Sequence, residues 1–185
     1  MYLADVDIGH AIEAGEIQIS PAVKAEDIRP AGIRLHLADT IAMPISSDAK
    51  VVDFAAPECT DFKLFELPRE GYVLKKREFI LASTVETVQT SPNILAQLDG
   101  RSTMARIGVM IHCGSSVIDN VHEEARAITL EIANLGPYDV RLRAGDAIGM
   151  LIFSYLTNNV QQPANPQYRG QVMVTPPVVR SFERA

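Results

Sequence analysis

Beyond about residue 15 this chain shows no helical period. Its apolar residues fall instead into short segments, at 72–74, 79–82, 109–111, 127–132 and 147–153, with Pro, Gly, Asn or Asp recurring between them. Runs this short, separated by turn formers, read as strands, and their regular recurrence implies an all-β sandwich or barrel. No alternation of helix with strand is present to build a parallel sheet. The exception lies at the start. Ile8, Ala11 and Ile12 stand at i, i+3 and i+4, Asp5 or Asp7 can cap the first turn, and Gly15 is a stop signal, so residues 1–15 predict a short helix. The chain's 185 residues correspond to about one domain. From Thr157 onward the sequence turns polar and Pro-rich, with Pro163, Pro166, Pro176 and Pro177. Residues 1–156 therefore read as a single domain and 157–185 as an arm outside the core, able to order on a ligand or a neighbouring subunit.

Charge and cysteine content narrow the chemistry. Lys and Arg number 17 against 23 Asp and Glu, a net charge of −6. That balance argues against a nucleic-acid or anionic-membrane binder, both of which need a basic surface. The two cysteines, Cys59 and Cys113, cannot form a disulfide framework or a Cys-rich zinc site. No apolar run is long enough to span a membrane, and the N-terminus carries no basic-then-apolar leader, so a cytoplasmic protein is expected. The four histidines, His10, His36, His112 and His122, are not at metal-ligand spacing, and His112 reads as structural. Neither a phosphate-binding G-x-x-x-x-G-K-[ST] loop nor a G-x-G-x-x-G or G-x-S-x-G motif is present.

Two segments carry polar groups where chemistry could use them. In I-T-L-E-I-A at 128–133, Ile128, Leu130 and Ile132 share one strand face and Thr129, Glu131 and Ala133 the other. By pattern alone Glu131 reads as part of a solvent-exposed polar face. The stretch 100–108, G-R-S-T-M-A-R-I-G, predicts a short helix with Ser102 and Arg106 on one side and Arg101 about 100° around the axis. It fits an anion or oxygen-ligand site as well as it fits a capped connector with solvated arginines.

These segments, taken with others, resemble the dCTP deaminases, which share their fold with the trimeric dUTPases. L-A-D-V-D-I at 3–8 is similar to the family's opening helix, and I-R-P-A-G-I-R-L-H-L at 28–37 to its Q-P-A-S-x-D-L-R-L segment. E-F-I-L-A-S-T-V-E at 78–86 is similar to F-x-L-A-x-T-x-E, and 100–108 to G-R-S-S-L-A-R-x-G. Residues 128–134 match I-x-L-E-x-x-N, 142–149 match L-R-P-G-x-x-I-G, and Y-R-G-Q at 168–171 resembles a C-terminal Y-x-G-Q.

The resemblance implies a distorted jelly-roll β-barrel of the dUTPase-like type, assembled as a homotrimer with active sites between subunits and the C-terminal arm closing over the nucleotide. It implies zinc-independent hydrolysis of dCTP to dUTP and ammonia, with Mg²⁺ accompanying the triphosphate. The zinc deaminases need a P-C-x-x-C ligand set that this sequence lacks. Glu131 becomes the general base, with Ser102 and Arg106 fixing the water and the tetrahedral intermediate. Arg101 would meet phosphate oxygens, Asp119 the ribose, the backbone at Ser115 the cytosine edge, and Tyr168 and Gln171 the phosphates. Alternatives are a dUMP-forming relative, a deaminase of another cytosine nucleotide or nucleoside, and a non-catalytic nucleotide-binding regulator on the same fold.

The sequence departs from the family pattern in four places. Between Asp119 and the Glu131 strand, the Pro, Gly and aromatic residues of I-D-P-G-[WF]-x-G are replaced by a longer segment ending in Glu124, Ala125 and Arg126. Arg34 stands where the family has Asp, Val117 where many members have Arg, and Gly114, Ser115 and Ser116 where T-A-x is usual.

Overall fold

The computed structural model describes residues 1–45, 62–119, 121–162, 168 and 170–177. Cys59, Asn120, Pro163, Pro166 and Arg169 lie outside the described residues. The chain forms a helix α1 (Asp5–Glu13), then strands β1 (Ile17–Ser20), β2 (Ile28–Arg29), β3 (Gly32–Pro44), β4 (Phe62–Glu66), β5 (Tyr72–Leu74), β6 (Phe79–Thr90) and β7 (Ile94–Gly100). A five-residue helix α2 (Ser102–Arg106) follows, then β8 (Val109–Met110), β9 (Val117–Ile118), β10 (Arg126–Asn134), β11 (Val140–Leu142) and β12 (Ala147–Tyr155). Both predicted helices and the predicted all-β architecture are therefore present. Neither helix is long and apolar enough to cross a membrane among the described residues.

Ten strands join one antiparallel sheet whose main path runs β8-β10-β6-β3-β12-β7-β9, with β1 on β6 and β2 and β4 on β3; β5 and β11 make a separate pair. The long strands β3 and β6 would be too flat to enclose a core if their pairing ran unbroken. The β3–β6 register shifts between Leu37 and Ile41, the β12–β3 register between Ala147 and Gly149, and the β10–β6 register between Ala127 and Thr129. Such irregularities bend strands and increase local twist, which curls the sheet. Inside the curl sit Ile33, Leu35 and Leu37 of β3, Ile80 of β6, Leu130 and Ile132 of β10, and Leu151 and Phe153 of β12, all fully buried. Helix α1 closes one end by burying Ile8 and Ala11. Its N-cap is Ala4, which has no side-chain acceptor. Asp7 compensates by accepting the Ala4 N–H at 3.1 Å from the first turn.

The C-terminal segment differs from its sequence reading. Val174 is only 2% exposed and packs with Ala42 and Leu81, so part of the arm belongs to a small second apolar cluster. Gln171 docks on the start of β10: Ala127 N–H donates to its carbonyl at 3.2 Å, and its amide donates back to the Ala127 carbonyl at 3.3 Å and to the Thr129 hydroxyl.

The end of β10 also fixes α2. The chain leaves α2 through Gly108, at φ +83°, whose carbonyl accepts the Leu135 N–H at 2.8 Å. A Cβ on Gly136 would stand 1.9 Å from the Ile107 carbonyl oxygen, so the two backbones approach more closely than any other residue allows. Asn134, fully buried, organises this turn. Its amide donates to the carbonyls of Leu74 (3.2 Å) and Tyr138 (2.8 Å), and its Oδ1 accepts the Gly136 N–H at 3.1 Å. Asn134→Ala leaves those groups without partners and is expected to lower unfolding free energy by about 3 kcal/mol in urea denaturation. A loss below ~1 kcal/mol would show that Asn134 does not hold the turn.

Candidate active site

Strand β10 has two faces, and the one opposite the core forms the wall of a cavity. Thr129 and Glu131 project there, half-buried, while Ile128, Leu130 and Ile132 are buried. The cavity holds about 450 Å³. Ser115, Val117, Ile118 and Asp119 form a second wall, Phe79 and Leu81 of β6 extend the β10 wall from the neighbouring strand, and Tyr168, Gln171, Thr175 and Pro177 of the C-terminal segment line the remainder. The exposed face predicted for Glu131 is thus corrected: its surroundings are a half-enclosed pocket, which strand alternation cannot distinguish from open solvent.

Residues 111–113 run beside β10 and hold Glu131 in place. The Glu131 N–H donates to the Ile111 carbonyl at 2.9 Å, and the Cys113 N–H donates to Glu131 Oε2 at 2.8 Å. The Cys113 thiol lies 3.4 Å from the Glu131 carbonyl oxygen. Burial and, second, the negative Glu131 carboxylate push the Cys113 thiol above its ordinary pKa. Strand β9 carries Asp119 toward the cavity by pairing with β7, Val117 opposite Gln97 and Ile118 opposite Ala96. The Leu98 N–H donates to the Ser116 carbonyl at 2.7 Å, which fixes the backbone beside Ser115.

Glu131, Ser115, Asp119, Tyr168 and Gln171 thus line one cavity. Arg101, Ser102 and Arg106 are not among the described residues that line it. Ser102 and Arg106 are exposed on α2, and Arg101, half-buried, donates from Nη1 to the Ala147 carbonyl at 2.5 Å. Within one chain the predicted constellation is therefore divided in two.

Sequence reading did not single out Arg126 as a site residue. It opens β10, is 3% exposed, and lines the cavity. Its Nη1 donates to the Tyr168 carbonyl at 2.6 Å and its Nη2 lies 2.7 Å from Glu124 Oε1, which also accepts the Gly170 N–H at 2.6 Å. The available signal was a lone cation at the head of the strand that carries Glu131. Arg34, another departure from the family pattern, lies outside this cavity's lining and pairs with Asp27 at 3.2 Å. Beside it His36 is held to Glu86, Nδ1 to Oε1 at 2.7 Å and backbone N–H to Oε2 at 2.9 Å. The added positive charge has a matching carboxylate.

A family model described as dCTP deaminase-like matches residues 2–156. The chain belongs to the dCTP deaminase-like family. Among curated relatives, "dCTP deaminase, dUMP-forming" of Bifidobacterium longum is 33% identical over 189 residues, covering 99% of this chain and 95% of that protein. "dCTP deaminase" of Mannheimia succiniciproducens is 32% identical over 174 residues, with 89% of each chain covered. Among solved structures, the 2'-deoxycytidine 5'-triphosphate deaminase from Agrobacterium tumefaciens superposes with a TM-score of 0.59 at 16% identity. That match covers 83% of this chain and 47% of the Agrobacterium chain, so this chain spans about half of its length. The likeness shows a shared fold.

In this family member the Cys113 thiol reports on Glu131. In a Cys59→Ser background, iodoacetamide should alkylate Cys113 slowly at neutral pH and faster as pH passes above the ordinary thiol range, because the thiolate is the nucleophile. Glu131→Gln removes the negative neighbour, so the thiol pKa falls and alkylation at a given pH accelerates. Equal rates for the two proteins, followed by mass spectrometry, would show that the carboxylate does not bear on the thiol.

Proposed function

We propose that the chain catalyses zinc-independent hydrolytic deamination of a cytosine deoxynucleotide, dCTP first, giving dUTP and ammonia. The observation that carries this reading is Glu131, a carboxylate tethered by the Cys113 N–H on the wall of a cavity shared with Ser115, Asp119 and Gln171. Water is a poor nucleophile and C4 of cytosine a weak electrophile, so a base must act as the C–O bond forms. Glu131 takes a proton from the attacking water, protons pass to N3 and to the exocyclic amine, and the C4–N bond breaks to release ammonia. Asp119 receives the deoxyribose, the backbone at Ser115 reads the base edge, and Tyr168 and Gln171 cover the phosphates. Mg²⁺ enters as part of the triphosphate, the usual way that ion is bound. The sequence has no P-C-x-x-C from which to build a zinc deaminase site.

Ser102 and Arg106 complete the site from a neighbouring subunit of a homotrimer, with Arg101 of that subunit on phosphate oxygens. Their exposure on α2, away from the cavity of their own chain, supports this arrangement. A second product is favoured by the relative from Bifidobacterium longum, whose name describes a dUMP-forming enzyme. In that reading pyrophosphate leaves as well as ammonia.

Purified protein with Mg²⁺ and dCTP should release ammonia. Pyrophosphate released alongside it selects the dUMP-forming reading. Glu131→Gln should bind nucleotide nearly as before and lose about 10²–10⁴-fold in kcat, because only proton transfer is removed. No ammonia from dCTP, CTP, dCMP, CMP or cytidine would overturn deamination, and full turnover by Glu131→Gln would place the base elsewhere.

The shared site has its own test. Glu131→Gln and Arg106→Gln proteins, each inactive, should regain measurable activity when dissociated, mixed and reassembled. Some interfaces then pair an intact Glu131 with an intact Arg106. Mixtures that stay at background, with subunit exchange confirmed by native mass spectrometry, would show that each site is built from a single chain.

A further inference from the structure

Arg126 is the only cationic side chain among the described residues lining the cavity, and it is 3% exposed. The same cavity is lined by two carboxylates, Asp119 and Glu131. A guanidinium has five N–H donors in a planar fork, and burying it without partners is unfavourable. Here only part of the fork is used. Nη1 donates to the Tyr168 carbonyl at 2.6 Å, whereas Nε and Nη2 are buried without a hydrogen-bond partner. Glu124 Oε1 comes within 2.7 Å of Nη2 and supplies opposite charge, but not along an N–H direction, and that oxygen accepts the Gly170 N–H at 2.6 Å. The cavity therefore contains a fixed cation with donors unspent.

We propose that Arg126 is a specificity-determining residue that receives the 5'-phosphate oxygens of the ligand and makes the cavity select nucleotides over free nucleosides. Its distance from the base-reading end supports phosphate as the acceptor. Arg126 and Glu131 are five residues apart on one strand, on the order of 16 Å between backbones. A pyrimidine ring at Glu131 is too small to reach both, so Arg126 serves what the base carries. A sugar is neutral and has no need of a buried cation. A phosphate is the partner that a guanidinium fork matches in shape and charge, and it is the group two cavity carboxylates would otherwise repel. The identity of the base rests on the deaminase reading; the selection for an anion does not.

Direct binding by calorimetry tests the proposal on the full chain with deoxycytidine, dCMP, dCTP, dUTP and inorganic triphosphate. The wild-type protein should bind dCTP more tightly than deoxycytidine. Arg126→Gln should weaken dCMP and dCTP by about tenfold or more while leaving deoxycytidine little changed. Glu124→Gln keeps an oxygen for the Gly170 N–H but removes the competing charge. It should tighten dCTP severalfold and leave deoxycytidine unchanged, and it decides the matter if Arg126→Gln does not fold. Parallel loss of all ligands in Arg126→Gln would make Arg126 a structural residue and overturn the proposal. So would an unchanged dCTP-to-deoxycytidine ratio, or unaltered dCTP affinity in Glu124→Gln. If dUTP or triphosphate binds in an Arg126-dependent way but no cytosine ligand does, the phosphate role stands and the deaminase reading falls. Deamination of dCTP with an unchanged ratio has the opposite meaning. Wild-type protein that binds no phosphorylated ligand refutes both.

Discussion

A slip of one residue in the pairing of β10 with β6 would turn Glu131 into the core and Leu130 into the cavity. The observed register places Glu131 opposite Leu81 and Leu130 opposite Ala82, and the rest of the site follows from it. The strand is held in that register by apolar burial on one side alone, through Ile128, Leu130 and Ile132. The bonds from the Glu131 N–H to the Ile111 carbonyl and from the Cys113 N–H to the Glu131 carboxylate then hold residues 111–113 beside the strand. A hydrophobic stripe thereby sets the position of a polar cavity.

Charge placement shows the same economy. The Glu124–Arg126 pair lies where the family pattern has a turn of Pro, Gly and an aromatic, and it ties the C-terminal segment to β10 through Tyr168 and Gly170. Removing one partner of a largely buried pair leaves the other uncompensated, a costlier change than replacing both together. The Arg34 substitution obeys that rule. A cation stands where the family has a carboxylate, and Asp27 and Glu86, both buried, hold Arg34 and His36 between them.

Much of the fold was legible because its signals are local. Short apolar segments with turn residues between them predict strands, and the strands formed. Ile8, Ala11 and Ile12 predict a helix, and α1 spans Asp5–Glu13. What escaped were relations across the chain. Period-two alternation puts Glu131 outside the core but does not say whether a cavity or open water lies there. Arg126 looked like a residue of a divergent loop, since nothing nearby in sequence reveals that Tyr168 and Gly170 return to it. The polar, Pro-rich tail gave no hint that Val174 would find Ala42 and Leu81. Ser102 and Arg106 form the predicted helical face, yet helix spacing cannot say which cavity that face serves.

The end of β10 links the two halves of the divided site mechanically. Asn134 lies three residues after Glu131 on the same strand and fastens the turn at Gly136. Gly136 in turn lies against the Ile107 carbonyl at the end of α2. A shift of Asn134 thus moves the Glu131-bearing strand and the Ser102–Arg106 helix together. In the trimer with shared sites proposed above, those two elements would serve different cavities, and each subunit's Asn134 would set the geometry of two sites at once. Close backbone packing transmits such displacements because it has no slack to absorb them. Precision at the proposed chemistry would then depend on a buried amide that is not part of the cavity lining.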